Sequence, residues 1–212
     1  MKDRNLDVYV VSWGGVATSS FMRWLEINNI KVNSTTDRDG IKHIPSPNNS
    51  KLLNVKFKKV IFIYDDVLNS LVSLWRRKFH AKQVYKLSYN KMDKETTIEQ
   101  YANNGKDLFK FQQMYENWTK TKKDYDCLFV KGTQIYKYRF EILKFLNLPI
   151  DLEFFPFKAR NSNWENDLKQ NLKENLLAIY GEFNEFIFSN PDIQLQEKNS
   201  LTLIDLTTSS SN

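Results

Sequence analysis

Apolar positions fall along this chain in two rhythms, one suited to strands and one to helices. Val8 to Trp13 is a run of β-branched and aromatic residues that reads as a buried strand. It gives way to Gly14-Gly15, then to Thr18-Ser19-Ser20, then to Phe21, Met22, Trp24 and Leu25, which share one helical face. A second strand is expected over Val55 to Asp66, where alternation turns into a continuous apolar stretch. Val67 to Phe79 follows as a helix with Leu68, Leu71, Val72 and Trp75 in one stripe. Thr97 to Thr119 has helical spacing, with Asn103-Asn104-Gly105 as the place for a break. Cys127 to Gly132 is a third buried strand, and Tyr138 to Leu146 a helix stopped before Pro149. Glu165 to Phe188 is a long terminal helix.

Between these elements the pattern lapses. Asn33 to Ser50, with Gly40, Pro45 and Pro47, reads as loop. Lys82 to Lys94, polar and aromatic, reads as a mobile loop. From Gln194 onward Ser, Thr and Asn accumulate. Residues 1–193 therefore read as one domain and 194–212 as a disordered tail, with LTLIDLT (201–207) as a candidate edge strand or peptide ligand. Alternating β and α elements imply a parallel sheet flanked by helices, an α/β fold. Ligands of such sheets bind beyond the carboxyl ends of the strands, here just after Trp13 and Tyr64.

Composition narrows the class. A chain of 212 residues with 41% hydrophobic and 14% aromatic residues has the material for a packed core. One cysteine, Cys127, excludes a disulfide framework. Two histidines leave little for zinc, so no metal is expected. Charges interrupt the amino-terminal stretch and no apolar run is long enough to span a bilayer. The expectation is a soluble, cytoplasmic protein. A net charge of +6 favours anionic partners. Nucleic acid is not the expected one, because no helix-turn-helix, zinc-finger or aromatic RNA-binding motif accompanies the charge.

The Gly14–Ser20 stretch carries the sharpest chemistry. Glycines permit positive φ and close backbone approach, and a helix start offers unpaired N–H groups and the positive end of a dipole. With the three hydroxyls, the product is a cradle for phosphate or sulfate. It is not a Walker A loop, since the lysine of that motif is missing. An ordinary strand-to-helix turn with serine caps remains an open alternative.

Four segments in order, spanning residues 5–190, together resemble the sulfotransferase family. GGVATSS is similar to the loop that holds the 5′ end of 3′-phosphoadenosine-5′-phosphosulfate (PAPS). IKHIP is similar to Lys-Thr-His-Leu-Pro, IFIYDDVLNSLVSLWRR to the strand-helix segment with Arg-Asp-Pro and a later serine, and FLNLPIDLEFFPFKARNSNW to the final basic segment. The resemblance implies a sulfotransferase-like, P-loop NTPase-like three-layer sandwich. It also implies PAPS as cofactor and a hydroxyl or amine acceptor on a carbohydrate or small metabolite. It assigns Gly15, Thr18, Ser19 and Ser20 to the cofactor's 5′ end and His43 to the base, with Lys42 beside it. Ser73 and Arg160 fall to the 3′-phosphate, with Trp164 on the adenine or the loop.

Two positions depart from the family. Its loop cation falls on Ala17, which leaves Lys42 as a replacement. Its phosphate-binding arginine falls on Asp65, for which Arg76 and Arg77, three and four residues past Ser73, are candidate substitutes. The competing expectation is a sulfotransferase-like fold that has lost cofactor binding and serves as a binding or scaffold protein. His80, which has no motif, is assigned to the surface.

Overall fold

The computed structural model describes residues 4–154 and 162–207. The first strand, β1 (Arg4–Asn5), leads to β2 (Tyr9–Ser12) and helix α1 (Thr18–Ile27). Then come β3 (Val55–Lys56), β4 (Lys59–Tyr64), α2 (Val67–Arg76), α3 (His80–Ser88), α4 (Ile98–Asn103) and α5 (Phe111–Thr119). The chain closes with β5 (Asp126–Lys131), α6 (Arg139–Leu146), α7 (Trp164–Asp167), α8 (Gln170–Ser189), β6 (Ile193–Gln196) and β7 (Ile204–Asp205).

The main sheet has the order β2-β4-β5-β6-β7. Val10, Ile61, Leu128, Leu195 and Ile204 form one row across all five strands. The first three strands are parallel and almost wholly buried, which is why their sequences are continuously apolar rather than alternating. The fold is thus mixed α/β, with helices flanking a sheet that is parallel in part.

β6 and β7 are antiparallel, which corrects the expectations of an all-parallel sheet and of a disordered tail from Gln194. The open edge of β5 needs a partner for its backbone, and the buried Gln196 of β6 is held by its side-chain bonds. Gln196 Nε2 donates to the carbonyls of Thr119 at 3.1 Å and Ser200 at 3.0 Å, and its Oε1 accepts from Lys123. Such side-chain bonding is invisible to a hydropathy pattern. The expected strand over Val55 to Asp66 divides, because β3 leaves to pair with β1 in a separate two-stranded sheet.

The stretch Lys82 to Lys94, read as a mobile loop, is helical through Ser88 as part of α3. Its buried face is His80, Gln83, Val84 and Leu87. This is ordinary helical spacing in which two of the four residues are polar, so an apolar count misses it. His80 is correspondingly buried and not at the surface, its ring stacked on Trp75 at 4.8 Å with 6° between planes. Desolvation lowers its pKa. The long pattern from Thr97 divides into α4 and α5 around Gly105, as the Asn-Asn-Gly break suggested.

Trp13, the residue after β2, lies at the centre of the aromatic core. It meets Phe62, Tyr64, Phe111 and Phe183 at 5.5–6.4 Å, and its indole N–H donates to Ser70 Oγ at 3.3 Å. This anchors the chain immediately before the glycine turn. Among the described residues no helix is long and apolar enough to cross a membrane.

Candidate functional site

The turn from β2 to α1 is built by close approach. Gly14 and Gly15 take φ of +92° and +80°, a region that disfavours a side chain. A Cβ on Gly15 would stand 2.7 Å from the Ser70 carbonyl oxygen, so α2 packs directly on the loop. Ala17 is also left-handed, with φ of 57°, and no described side chain caps the helix that follows. The first turn of α1 carries no acidic residue. Its positive end therefore faces a cavity of about 380 Å³ that Gly14 to Ser20 line on one side.

The segment from Lys31 to Pro45, laid along the outer edge of β2, adds Thr35, Thr36, Asp37, Lys42 and His43 to the lining. Asn33 acts as a strand residue through its side chain, donating to the Val10 carbonyl and accepting from the Val10 N–H, both at 2.9 Å. Farther on, the Ser12 N–H donates to the Lys42 carbonyl at 3.0 Å, and Trp118 Nε1 donates to the Ile44 carbonyl at 3.1 Å. A stretch without regular secondary structure is thereby fixed against the sheet. Its two chemical residues, Lys42 and His43, are held at the cavity.

Lys42 is buried, and its ammonium donates to Ser19 Oγ at 3.2 Å and to the Thr35 carbonyl at 2.5 Å. It stands at the start of α1, where the loop itself supplies only Ala17. Desolvation lowers its pKa, against the attraction of Asp37. Arg23, Arg77, Lys82 and Lys86 also line the cavity, and Asp37 is the one carboxylate among its described lining residues. Asp37 accepts from the Lys42 N–H at 2.9 Å and from the Lys86 ammonium. Burial works against its charge, but His43, Lys86 and the Lys42 N–H together hold its pKa below the usual carboxylate value.

His43 Nδ1 lies 2.6 Å from the Ser12 carbonyl oxygen. A carbonyl only accepts, so Nδ1 carries the proton and Nε2 is the acceptor nitrogen. Desolvation, with the nearby Lys42 and Lys86 charges, takes the imidazolium pKa down to about 3 despite Asp37 and the Ser12 carbonyl. The ring is neutral at physiological pH and, even with the Asp37 carboxylate nearby, a weak base.

No family model, curated protein or solved structure matches this chain.

The cavity brings together Gly15, Thr18, Ser19, Ser20, Lys42, His43 and Arg77 of the residues singled out from sequence. Thr18 Oγ1 is turned inward, donating to Ser12 Oγ at 2.9 Å. Of the remaining candidates, Ser73, Arg76 and Trp164 do not line it. Ser73 is buried within α2 and Arg76 lies outside the lining, so the two neighbouring arginines part company. Trp164 begins α7, its N–H donating to Asn69 Oδ1 at 2.9 Å. Arg160 lies outside the described residues. Asp65 is committed elsewhere, its carboxylate accepting from the Thr133 N–H at 2.7 Å and the Asp66 N–H at 2.8 Å.

Sequence reasoning missed Arg23, Asp37, Lys82, Gln83 and Lys86. For Lys82, Gln83 and Lys86 a signal was present, since positions 82/83 and 86 sit one turn apart on a helix. For Asp37 there was none. Cys127, buried in β5 with its thiol pushed up to about 12, is a core residue.

Proposed function

We propose that the cavity binds the sulfated or phosphorylated end of a nucleotide. On this reading the protein is a sulfotransferase-like enzyme with PAPS as donor and a hydroxyl or amine of a carbohydrate or small metabolite as acceptor. The observation that carries it is Lys42, whose ammonium lies 3.2 Å from Ser19 Oγ at the helix start where the loop lacks a cation. The donor, when bound, supplies an activated sulfuryl group. Ser19 and the first turn of α1 orient its anionic end, and Lys42 and Arg77 oppose the charge that develops there. His43 accepts the acceptor's proton at Nε2. A bound anion raises the basicity of that nitrogen by adding negative potential beside a desolvated ring.

A second reading, a binding or scaffold protein of the same fold that has lost the cofactor, is favoured by the hydrogen bonds of Asp65 to the Thr133 and Asp66 N–H groups at the position assigned to a phosphate-binding arginine. One experiment separates them. Thermal unfolding is followed with 3′-phosphoadenosine-5′-phosphate and with ATP and magnesium. At ~100 times its dissociation constant the bisphosphate adds about 2.7 kcal/mol, and ATP with magnesium adds less. No stabilisation by millimolar bisphosphate overturns the sulfotransferase reading and leaves the scaffold. Stabilisation without sulfuryl transfer from PAPS to any hydroxyl or amine acceptor overturns the scaffold and the enzyme alike and leaves a nucleotide site without transfer. In an active enzyme, His43→Ala lowers turnover by roughly 100-fold without weakening bisphosphate binding, and His80→Ala leaves both unchanged.

A further inference from the structure

The basic cavity has an aromatic lip, and we propose that its ligand joins an anionic phosphate or sulfate ester to a flat aromatic ring that lies against Phe79. The inference rests on reading the cavity as an anion site.

Phe79 lines the cavity and is 51% exposed. A single exposed apolar side chain is ordinary; its setting here is not. Helix α2 ends with Lys78 left-handed at φ 55°, the Lys78 N–H donating to the Trp75 carbonyl and the Phe79 N–H to the Leu74 carbonyl, each at 2.9 Å. The Phe79 carbonyl then accepts from the Gln83 N–H at 2.9 Å within α3. The residue is thus bonded on both sides of its backbone. In this helix-ending motif the residue in the Phe79 position characteristically packs onto the one in the Leu74 position. Leu74 lines the same cavity, so the pair forms an apolar edge to a basic site.

The Arg77 guanidinium lies 5.6 Å from the centre of the Phe79 ring, and its Nε donates to the Ser73 carbonyl at 3.1 Å. A cation over one face of a ring withdraws π density and favours an electron-rich ring stacked on the other. Size argues the same way. The cavity measures about 380 Å³, whereas a tetrahedral anion replaces only a few waters of ~30 Å³ each. Cavities for small organic ligands begin at roughly 300 Å³. Anion contacts from Lys42 and Ser19 leave the Leu74–Phe79 side for the body of the ligand.

Titration calorimetry on the full chain tests this with inorganic phosphate, ribose 5-phosphate, phenyl phosphate and adenosine 5′-phosphate. The ring-bearing esters should bind about tenfold tighter than phosphate, and ribose 5-phosphate should bind like phosphate. Phe79→Ala should abolish the ratio while leaving the phosphate dissociation constant within about twofold, and Phe79→Trp should keep it. A gain for adenosine 5′-phosphate alone identifies a nucleobase, and a gain for phenyl phosphate identifies a simple aryl group. Equal binding of all four ligands, or a ratio that survives Phe79→Ala, overturns the inference while leaving the anion site standing. Failure of all four to bind overturns the anion site and the inference with it.

Discussion

Two parallel strands of this protein, β2 and β4, each end in a turn that starts a helix, and the two helix starts are treated in opposite ways. After β2 the chain runs through Gly14 and Gly15 into α1, which no described side chain caps, and cations from three other segments surround it. After β4 it runs through Asp65 and Asp66 into α2, where protein oxygens take the N–H groups. Asp66 Oδ1 accepts from the Asn69 N–H at 2.5 Å and Asn184 Oδ1 from the Val67 N–H at 2.7 Å. Asp65 turns away to the Thr133 N–H at 2.7 Å. The same topological step thus produces one electropositive opening and one sealed junction. Which it becomes depends on two residues per turn, a glycine pair or an aspartate pair.

The largest expected effect comes from closing the first turn. Gly15→Val forces a β-branched residue into positive φ and onto the Ser70 backbone, which should cost about 4 kcal/mol in urea unfolding. Gly105→Ala, at φ +61° with nothing within 4 Å, should cost only about 1 kcal/mol. Comparable losses would show that close approach to α2 does not shape the loop. Opening the second turn comes next. Asp65→Ala leaves the Thr133 and Asp66 N–H groups without their acceptor and should cost about 2 kcal/mol, Asp65→Asn less. Neither should alter phosphate affinity, and a change in affinity would break the distinction between the two turns.

Lys42→Met should weaken phosphate binding by about 1.5 kcal/mol, the worth of a charge-assisted hydrogen bond. Asp66→Ala, which uncaps the other helix, should not. Equal losses of affinity would sink the comparison.

The last effect is a pH slope, small per pH unit. His43 titrates near 3 in the folded protein against 6.5 when free, so the unfolded chain takes up the proton first. Its contribution to stability is complete above pH 6.5 and declines as the pH falls from there toward about 3. The slope is at most about 1.4 kcal/mol per pH unit. Asp37, held below its ordinary value of 3.8, adds its loss only under that pH. His43→Gln should flatten the decline between the two histidine values, measured in buffer free of phosphate and sulfate. Phosphate should move the imidazole NMR midpoint upward, and an unmoved midpoint would place His43 out of reach of the anion.

Legibility varied with how local the cause was. The strands β2, β4 and β5 and the glycine turn could be read because burial on both sheet faces demands continuous apolar runs. The helix α3 could not, since Gln83 is buried by bonding to the Trp13 carbonyl at 2.8 Å and by packing on Gly14, partners 70 and 69 positions away. Strand β6 failed for the same reason: Gln196 looks like tail until Lys123 and the Thr119 carbonyl stand opposite it.

From sequence alone came the glycine turn, the hydroxyls behind it and the lack of a cation at residue 17, because backbone conformation and helix-start chemistry are decided within a few residues. Tertiary structure decided where the cation comes from and which arginine reaches the cavity. Lys42 arrives 23 residues after Ser19 because the Asn33 side chain docks an irregular segment on β2, both its bonds at 2.9 Å. Arg77 lines the cavity and Arg76 does not, because successive residues at the end of a helix point about 100° apart. Charge acts through space, and the spacing that brings these groups to one anion site is set by sheet edges and helix ends, not by neighbours in the chain.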